Sequence, residues 1–405
     1  MSLPTMEEAL ASMLAAVRPL AVAPVPVGAA DGRWLAETVA ALRDQPPFDA
    51  SAMDGWAVRS ADAAKGARLR IVGESLAGHA PDAAFTPGDA MRIFTGAALP
   101  SGADRVVIQE EARRDGDQLV VEAEADSAAY VRPRGCDFMA GETLLEAGQR
   151  LNPWRIALAA SAGIATLPCH AAPRVALLST GDELVAPGGL AGPHQIYDSC
   201  TPALAAFVAH HGGRPMPPAQ VPDDEAAIAA AVAGAACDII VTIGGASVGD
   251  RDLVKPAVRG LGARLLVEGV QMRPGKPVWF AILGDGRPLL GLPGNPASAL
   301  VCAELFLAPL LARLQGGDTG ERFATARLAG PIAANGPRDH YLRGRLGRDG
   351  TGGRVVTAFA NQDSSLVSVM AAADVLVRRR PNAPAAEAGE PVEVLEPGLV
   401  RDASC

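Results

Sequence analysis

The sequence is short of lysine, of net positive charge and of long apolar runs, and each shortage excludes a class of protein. Only Lys65, Lys255 and Lys276 are lysines among 36 basic residues, so arginine carries nearly all of the positive charge. A formal charge of −9 argues against binding to nucleic acid or to an anionic membrane through bulk charge. The apolar runs fall short of the roughly 18 residues that a membrane-spanning helix requires. We therefore expect neither a nucleic-acid partner nor a membrane.

Cysteine is also scarce, and its spacing shows no metal or redox pattern. The six cysteines form no C-x-x-C pair, which excludes the common zinc and dithiol motifs; they are Cys136, Cys169, Cys200, Cys237, Cys302 and Cys405. The N-terminal stretch Met1–Val17 has two early glutamates and lacks the basic segment of a secretory signal. This stretch predicts an amphipathic helix at the start of a cytoplasmic protein.

The pattern of the chain changes four times, and the first and third of the resulting five segments are predicted to combine, which leaves four zones. A length of 405 residues exceeds that of one compact core, and a hydrophobic share of 49% excludes wholesale disorder. We predict a multidomain protein of the α/β plus β class. Its parts are a helical arm (1–43 with 136–172), an inserted β-rich domain (44–135), a central parallel-sheet α/β domain (173–317) and a small C-terminal β-barrel or sandwich (318–405).

Three apolar runs in the central zone end in glycine-containing loops that lead into helices. The runs are Arg174–Leu178, Asp238–Ile243 and Pro288–Leu292. Buried runs that alternate with helices indicate a parallel sheet, and such sheets bind ligands beyond the carboxyl ends of their strands. We therefore expect the following loops to face one crevice; they are residues 179–183, 244–250 and 293–296.

The other zones contain shorter β-like runs, and two helix starts stand out, one in the arm and one in the central zone. An asparagine cap followed by proline marks a helix at Asn152-Pro153 and a second, long apolar helix, Ala297–Leu314, after Asn295-Pro296. The predicted strands of the inserted zone are Leu69–Val72, Met91–Phe94, Val106–Gln109 and Leu119–Glu122. Those of the C-terminal zone are Phe323–Leu328, Tyr341–Leu346, Val355–Phe359, Val375–Val377 and Val392–Leu395.

The glycine loop after Ile243 has the composition of an anion-binding turn. Backbone N–H groups in such a loop, next to a helix N-terminus, bind phosphate without a charged side chain. Carboxylates in the loops at the same edge, Asp182-Glu183 and Asp250 with Asp252, suggest Mg²⁺ beside that phosphate. Two alternatives stay open, because glycines also make tight turns for packing and acidic residues also cap helices.

A rigid Pro-Gly turn carries two cations, Arg273 and Lys276. Such a turn aims its flanking side chains reproducibly, so an anion clamp is expected, although a solvated basic turn would have the same composition. Ser298, in the first turn of the following helix, could donate to the same anion or simply pack. Residue types and spacing alone thus indicate a Mg²⁺-assisted enzyme that acts on a phosphorylated substrate.

At these loops the sequence resembles the MoeA-type molybdopterin molybdenumtransferases, the family that includes the enzymatic part of gephyrin. Eight strings match in the family's order: PPFDASAMDGWA, RIFTGAALPSGAD, VRPRGCD, LLSTGDELV, QIYDSC, IGGASVGDRD, RPGKPV and GLPGNPASAL. The resemblance implies four domains, with a molybdopterin-nucleotide-binding domain at the centre. It also implies an elongated homodimer whose active cleft is shared between subunits.

The resemblance also implies roles for particular residues. Those expected to be catalytic are Asp54, Thr95, Asp137, Glu183 and Asp252, of which Glu183 and Asp252 would hold the metal. Those expected to bind the pterin nucleotide are Gly244, Gly245, Ser247, Gly249, Asp250, Lys255, Pro293, Gly294 and Asn295. Those expected to bind molybdate are Arg273, Lys276, Pro277, Ser298, Arg338 and Ser368. Arg273 and Cys200 depart from the family pattern, which has lysine and asparagine there.

The activity implied is the final step of molybdenum cofactor assembly. Molybdate would be inserted into adenylylated molybdopterin, with Mg²⁺-dependent cleavage of the pyrophosphate and release of AMP. Other proteins of the same biosynthesis would be partners. Two alternatives remain: a molybdopterin adenylyltransferase, which uses the same domain type with ATP, and a scaffold that binds the cofactor without turnover.

Overall fold

The computed structural model describes residues 3–124, 128–245 and 253–398. Four of the predicted site residues lie outside the described residues: Ser247, Gly249, Asp250 and Asp252.

The N-terminal helix α1 (Met6–Ala16) begins with a reciprocal cap. The Thr5 hydroxyl accepts from the Glu8 N–H at 3.2 Å, and the Glu8 carboxylate accepts from the Thr5 N–H at 2.9 Å. The predicted amphipathic helix is confirmed, and its buried face, which includes Met6 and Met13, packs in the core of the central domain.

The rest of the first 43 residues is less helical than its composition predicts. It contains the strands β1 (Val22–Pro26) and β2 (Val39–Ala40). Pro24 and Pro26 cannot donate a backbone hydrogen bond, which disfavours a helix interior but is tolerated in a strand at a sheet edge. The α-helix predicted here therefore ends at Ala16, and a single 3-10 turn, Val27–Ala29, follows it before residue 43.

The inserted zone forms a six-stranded sheet and one separate strand pair. Its strands are β3 (Ala50–Ser51), β4 (Gly55–Val58), β5 (Arg68–Ser75), β6 (Asp89–Ile93), β7 (Arg105–Ile108), β8 (Ala112–Asp115), β9 (Gln118–Val121) and β10 (Val131–Arg132). The sheet order is β7-β4-β6-β5-β9-β8, and β3 pairs with β10. The four predicted strands are present. The sequence did not indicate β8, because its arginines and aspartate lie exposed at the sheet edge.

The two chain segments on either side of the inserted zone lie together. After it come β11 (Thr143–Leu145), α2 (Pro153–Ser161) and β12 (Thr166–His170). Strand β12 pairs with β1 and β11 pairs with β2, both antiparallel. The predicted cap of α2 is confirmed, since the Asn152 side chain accepts from the N–H groups of Trp154 and Arg155 at 3.0 and 2.9 Å.

The central zone contains ten strands and five helices among the described residues. The strands are β13 (Arg174–Thr180), β14 (Leu184–Val185), β15 (Ile196–Tyr197), β16 (Arg214–Pro215), β17 (Ala219–Val221), β18 (Ile239–Ile243), β19 (Arg264–Glu268), β20 (Met272–Arg273), β21 (Trp279–Ile282) and β22 (Pro288–Leu292). The helices are α3 (Cys200–His210), α4 (Glu225–Gly234), α5 (Val254–Gly260), α6 (Pro296–Cys302) and α7 (Ala308–Leu314).

The main sheet of this zone runs in the order β16-β13-β18-β22-β21-β19, with β17 also paired to β13. The three predicted strands correspond to β13, β18 and β22, which are neighbours and parallel, as expected. Strands β19 and β21 join the sheet antiparallel, so the sheet is mixed at that edge. Because the three parallel strands are adjacent, the loops after them emerge side by side.

The long apolar helix is interrupted by a π-helical turn, Ala303–Leu307, between α6 and α7. Pro309 lacks an N–H and would crowd the carbonyl four residues earlier, which the wider turn relieves. Arg322 donates to the Glu304 carbonyl and, at 3.2 Å, to its carboxylate.

Among the described helices, Pro296–Leu314 alone has the length and hydropathy of a membrane span, but 89% of its most apolar window is buried inside the protein. It is the core helix of this domain.

The C-terminal zone is a closed barrel of five strands. They are β23 (Phe323–Leu328), β24 (Asp339–Arg348), β25 (Arg354–Ala358), β26 (Val375–Arg379) and β27 (Pro391–Leu395), with the helix α8 (Val367–Ala371) between β25 and β26. The pairing order β24-β25-β23-β27-β26 closes because β26 pairs back with β24. Of the two predicted architectures, the barrel is confirmed. Strand β20 of the central zone adds to β24, which links the two zones.

Candidate active-site cleft

A cleft of about 640 Å³ lies at the carboxyl ends of β13, β18 and β22. The loops that follow these strands line it together, as the sequence predicts. The predicted site residues among its described lining are Glu183, Gly244, Gly245, Pro277, Pro293, Gly294 and Asn295.

The glycine loop after β18 needs glycine for packing as well as for any ligand. Gly244 has a φ of +90°, and a Cβ there would lie 2.8 Å from the Thr180 carbonyl oxygen. At Gly245 a Cβ would lie 2.5 Å from Val254 Cγ2. The two chain segments therefore pass close together, which narrows the base of the cleft.

The described lining of the cleft includes three carboxylates: the predicted Glu183, and Asp198 and Asp223, which the sequence analysis missed. Asp198 Oδ1 accepts from the N–H groups of Cys200 and Thr201, at 3.1 and 3.0 Å, and so caps α3. Both missed aspartates stand just before a helix on this side of the sheet, which is the pattern that could have indicated them. No three metal-ligating side chains cluster within the described residues.

The turn with two cations borders the cleft through Pro277. The side chains of Arg273 and Lys276 are exposed, and the described lining includes neither. Gly275, at the apex, has a φ of +100°, and its carbonyl contacts the buried Cys302 Sγ at 3.8 Å. This contact with the buried core therefore holds the turn in place.

The C-terminal barrel reaches the cleft through the loop before α8. Ser365 and Val367 line the cleft, whereas its described lining includes neither Arg338 nor Ser368, which are both exposed. Asn295 stands at the N-cap position of α6 as predicted, but its amide donates to Ser364 Oγ at 3.2 Å instead of capping the helix. Backbone and side chain thus join α6 to this loop.

Arg343 is a buried cation that the sequence analysis missed. Its guanidinium donates to the Asp363 carbonyl at 3.2 Å, and its Nε has no partner among the described residues. Burial, and then the like charge of Arg273, lower the pKa of Arg343. Burial and the same two arginines lower the pKa of His340 to about 4. Positive charge therefore collects beside the turn, although Asp363 partly offsets that of Arg343. The sequence of β24 also contains Asp339, Arg345 and Arg348, so nothing in it marks Arg343 as the buried cation.

Two further predicted site residues, Ser298 and Lys255, lie outside the described lining of the cleft. Ser298 is buried in the first turn of α6, and the Lys255 ammonium lies over the Trp279 ring, 5.9 Å from its centroid.

Cys200, which departs from the family pattern, lines the cleft as the first residue of α3. Burial, followed by the nearby Asp198, raises the pKa of its thiol to about 11. The thiol is therefore neutral near pH 7 and a poor nucleophile or metal ligand.

Three further predicted residues, Asp54, Thr95 and Asp137, are exposed. Asp54 Oδ1 accepts from the Thr95 N–H at 2.8 Å and from its hydroxyl at 2.9 Å, and these donors hold the pKa of Asp54 below its ordinary value. Asp137 lies just after the inserted zone, where its N–H donates to the Gln45 carbonyl at 3.0 Å. The structure joins Asp54 to Thr95, but the described lining of the cleft includes none of the three.

Comparison with known proteins gives matches along nearly the whole chain. Residues 4–163 match the sequence profile described as MoeA N-terminal region (domain I and II), residues 176–313 that of a probable molybdopterin binding domain, and residues 325–396 that of MoeA C-terminal region (domain IV).

Full-length relatives agree with these profiles. A molybdopterin molybdenumtransferase of Nostoc sp. is 38% identical over 333 residues, which is 80% of this chain and 76% of the relative. The enzyme of the same name from Synechococcus elongatus is 38% identical over 306 residues, or 72% of this chain and 75% of the relative. The crystal structure of a molybdopterin biosynthesis MoeA protein from Pyrococcus horikoshii superimposes with a TM-score of 0.81 at 30% identity, over 98% of this chain and 99% of that one.

Proposed function

Since this chain belongs to the MoeA family of molybdopterin molybdenumtransferases, we propose that it inserts molybdate into adenylylated molybdopterin and releases AMP. The transferase step belongs to molybdenum cofactor biosynthesis, and we place it in the cytoplasm. The observation that carries the proposal is the cleft itself. Three loops at the carboxyl ends of parallel strands enclose about 640 Å³, which suits a ligand of nucleotide size.

We place the pyrophosphate of the substrate against the glycine loop and Mg²⁺ beside it. The oxygen donors of Glu183, Asp198 and Asp223 suit a hard cation, and Mg²⁺ is usually held by one or two carboxylates together with substrate phosphates. Glu183, with Asp252 outside the described residues, is our choice of protein ligands. Bound there, the ion would neutralise charge on the phosphates as the bond between them breaks. Gly181 leaves room for the Glu183 carboxylate, because a Cβ at residue 181 would lie 2.7 Å from Glu183 Oε2.

We place molybdate next to the turn that carries the two cations. Arg273 and Lys276 are exposed there, and Arg343 is buried without a carboxylate ion pair among the described residues. A doubly negative tetrahedral anion would relieve the repulsion among these groups and accept their N–H donors. Ser365 lines the adjacent cleft wall and can donate as well.

Pro277, Ser298, Arg338 and Ser368 remain predicted contacts of molybdate. Of these four, Pro277 alone is part of the described lining of the cleft. Ser298 is buried. Lys255 remains a predicted contact of the nucleotide.

We propose that a second copy of the chain completes the cleft. Asp54, Thr95 and Asp137 are exposed and lie away from the described cleft lining of their own chain, so a homodimer in which they face the partner's cleft would give them a role. Other proteins of the same biosynthesis would supply the adenylylated substrate. Neither nucleic acid nor a membrane enters this scheme.

The test is turnover of adenylylated molybdopterin by the purified protein with Mg²⁺ and molybdate. We expect AMP release that depends on molybdate. Lys276→Ala should lower kcat/KM at least tenfold, whereas Lys65→Ala, which removes an exposed lysine of the inserted zone, should leave it unchanged. Consumption of ATP with the intermediate left intact would instead identify an adenylyltransferase, and binding without turnover would identify a scaffold.

A further inference from the structure

A flap of residues 184–197 stands over one side of the cleft. It begins with β14 and ends with β15, which pair in parallel, and residues 186–197 are all exposed. Its two ends are fastened to each other: the Ile196 N–H donates to the Glu183 carbonyl at 2.8 Å, and the Asp198 N–H donates to the Val185 carbonyl at 2.9 Å. The flap is therefore held at its base, next to two of the cleft carboxylates.

The inner end of the flap presents apolar side chains that the described residues leave largely exposed. Ile196 and Tyr197 both line the cleft, yet they are 59% and 54% exposed. Tyr197 provides the one aromatic ring among the described lining residues. The other two tyrosines, Tyr130 and Tyr341, are partly or fully buried. Exposed apolar side chains at a cleft wall commonly mark a ligand surface.

The ring of Tyr197 is positioned before any ligand arrives. Its hydroxyl donates to the Gly189 carbonyl within the flap at 3.2 Å. A tyrosine has only two side-chain torsions, so a ring already fixed in this way loses little conformational entropy when a flat ligand packs on it.

We propose that Tyr197, with Ile196 beside it, forms the stacking surface for a planar heterocycle of the substrate, adenine or pterin. The inference rests on the proposed function, in which a pyrophosphate lies between two such rings. The glycine loop and the carboxylates would bind the pyrophosphate of that substrate, and the flap would bind one of its two heterocycles. The flap thereby distinguishes a heterocycle-bearing pyrophosphate from an inorganic anion.

The experiment is isothermal titration of the full chain with three probes: AMP, pterin and inorganic pyrophosphate with Mg²⁺. Stacking of a base on an aromatic side chain corresponds to roughly a tenfold change in affinity on replacement by alanine. We expect Tyr197→Ala to lower the affinity for either AMP or pterin about tenfold and to leave the affinity for pyrophosphate unchanged. Tyr197→Phe keeps the ring and should stay within about threefold of the wild type. Leu190→Ala, at a flap position that is 99% exposed, is the matched control and should change nothing.

The change in affinity for the heterocycles, compared with the change for pyrophosphate, separates a loss of stacking from a structural effect on the flap. If Tyr197→Ala weakens the binding of pyrophosphate as much as that of the heterocycles, the substitution has disrupted the flap and the stacking role is wrong. Unchanged affinity for both AMP and pterin would also overturn it, while molybdate-dependent AMP release by the wild type would keep the proposed function intact. Wild-type protein that binds no probe and releases no AMP would overturn the proposed function and this inference together.

Discussion

Replacing Gly275 by alanine should displace the turn that carries Lys276 without changing its charge. Gly275 has a φ of +100°, a conformation that side chains rarely adopt. A Cβ there would lie 2.4 Å from Cys302 Sγ and 3.1 Å from Met272 Cε. Cys302 is fully buried in the core helix, so the sulfur cannot swing into solvent. The turn must therefore rise, and Lys276 with it.

Two effects add up in this variant. Overpacking of a dense core costs about 1–3 kcal/mol. A left-handed backbone conformation costs a residue with a side chain about 1–2 kcal/mol. We therefore expect Gly275→Ala to lower the free energy of unfolding by about 2–5 kcal/mol. Adding Cys302→Ala removes the sulfur and should recover the packing part of the loss, but leave the backbone part.

Urea denaturation of the wild type, the two single variants and the double variant measures the coupling between these positions. The kcat/KM for AMP release, measured on the same four proteins, should fall in Gly275→Ala and partly recover in the double variant. Gly275→Ala that is as stable and active as the wild type would refute this account. Additive effects of the two substitutions would show that the sulfur does not support the turn.

Three further predictions concern charge. Thr95→Ala should raise the pKa of Asp54 in a ¹³C NMR titration, since it removes the hydroxyl donor at 2.9 Å. Because the folded-state pKa is depressed, the carboxylate stabilises the fold above the unfolded pKa and loses this effect as pH falls through the folded pKa; in the variant the loss should occur at higher pH. Arg322→Met should lower the free energy of unfolding by about 3–5 kcal/mol in urea denaturation, since it leaves the Glu304 carboxylate buried without its cation and with the Gly398 N–H, at 3.0 Å, as its remaining described donor. Adding Glu304→Leu should restore much of that loss. Removal of Mg²⁺ with EDTA should abolish AMP release, and Glu183→Gln should raise the Mg²⁺ concentration for half-maximal release.

Each of these has a clear contrary result. An Asp54 titration that does not move would mean that the hydroxyl does not influence the carboxylate. A stable Arg322→Met protein would mean that the Gly398 N–H, or protonation of the carboxyl group, is enough to keep Glu304 buried without the cation. AMP release that persists in EDTA would remove Mg²⁺ from the reaction.

The cleft could be predicted from sequence because local signals determine it. Apolar runs and glycine loops gave β18 and β22 to within one residue, and their parallel pairing follows from the helices between them. Parallel neighbours necessarily bring their following loops to one edge, so Glu183 and Gly244 meet in the structure as predicted.

What the sequence did not reveal depends on contacts between distant segments. Arg343 becomes a buried cation only because the Asp363 loop and the central domain close over β24, and no spacing near it announces that. Ser365 reaches the cleft through the same loop, whereas Ser368, which the family resemblance implied, lies exposed on α8. Asn295 has the sequence of a helix cap, but a tertiary partner, Ser364, takes its amide.

The most direct test of the central claim is the molybdenum content of the pterin product. The wild-type protein, adenylylated molybdopterin, Mg²⁺ and molybdate should yield about one molybdenum atom per AMP released, measured by mass spectrometry of the isolated pterin and chromatography of the nucleotide. AMP release without molybdenum in the pterin, or at the same rate when molybdate is omitted, would contradict the account.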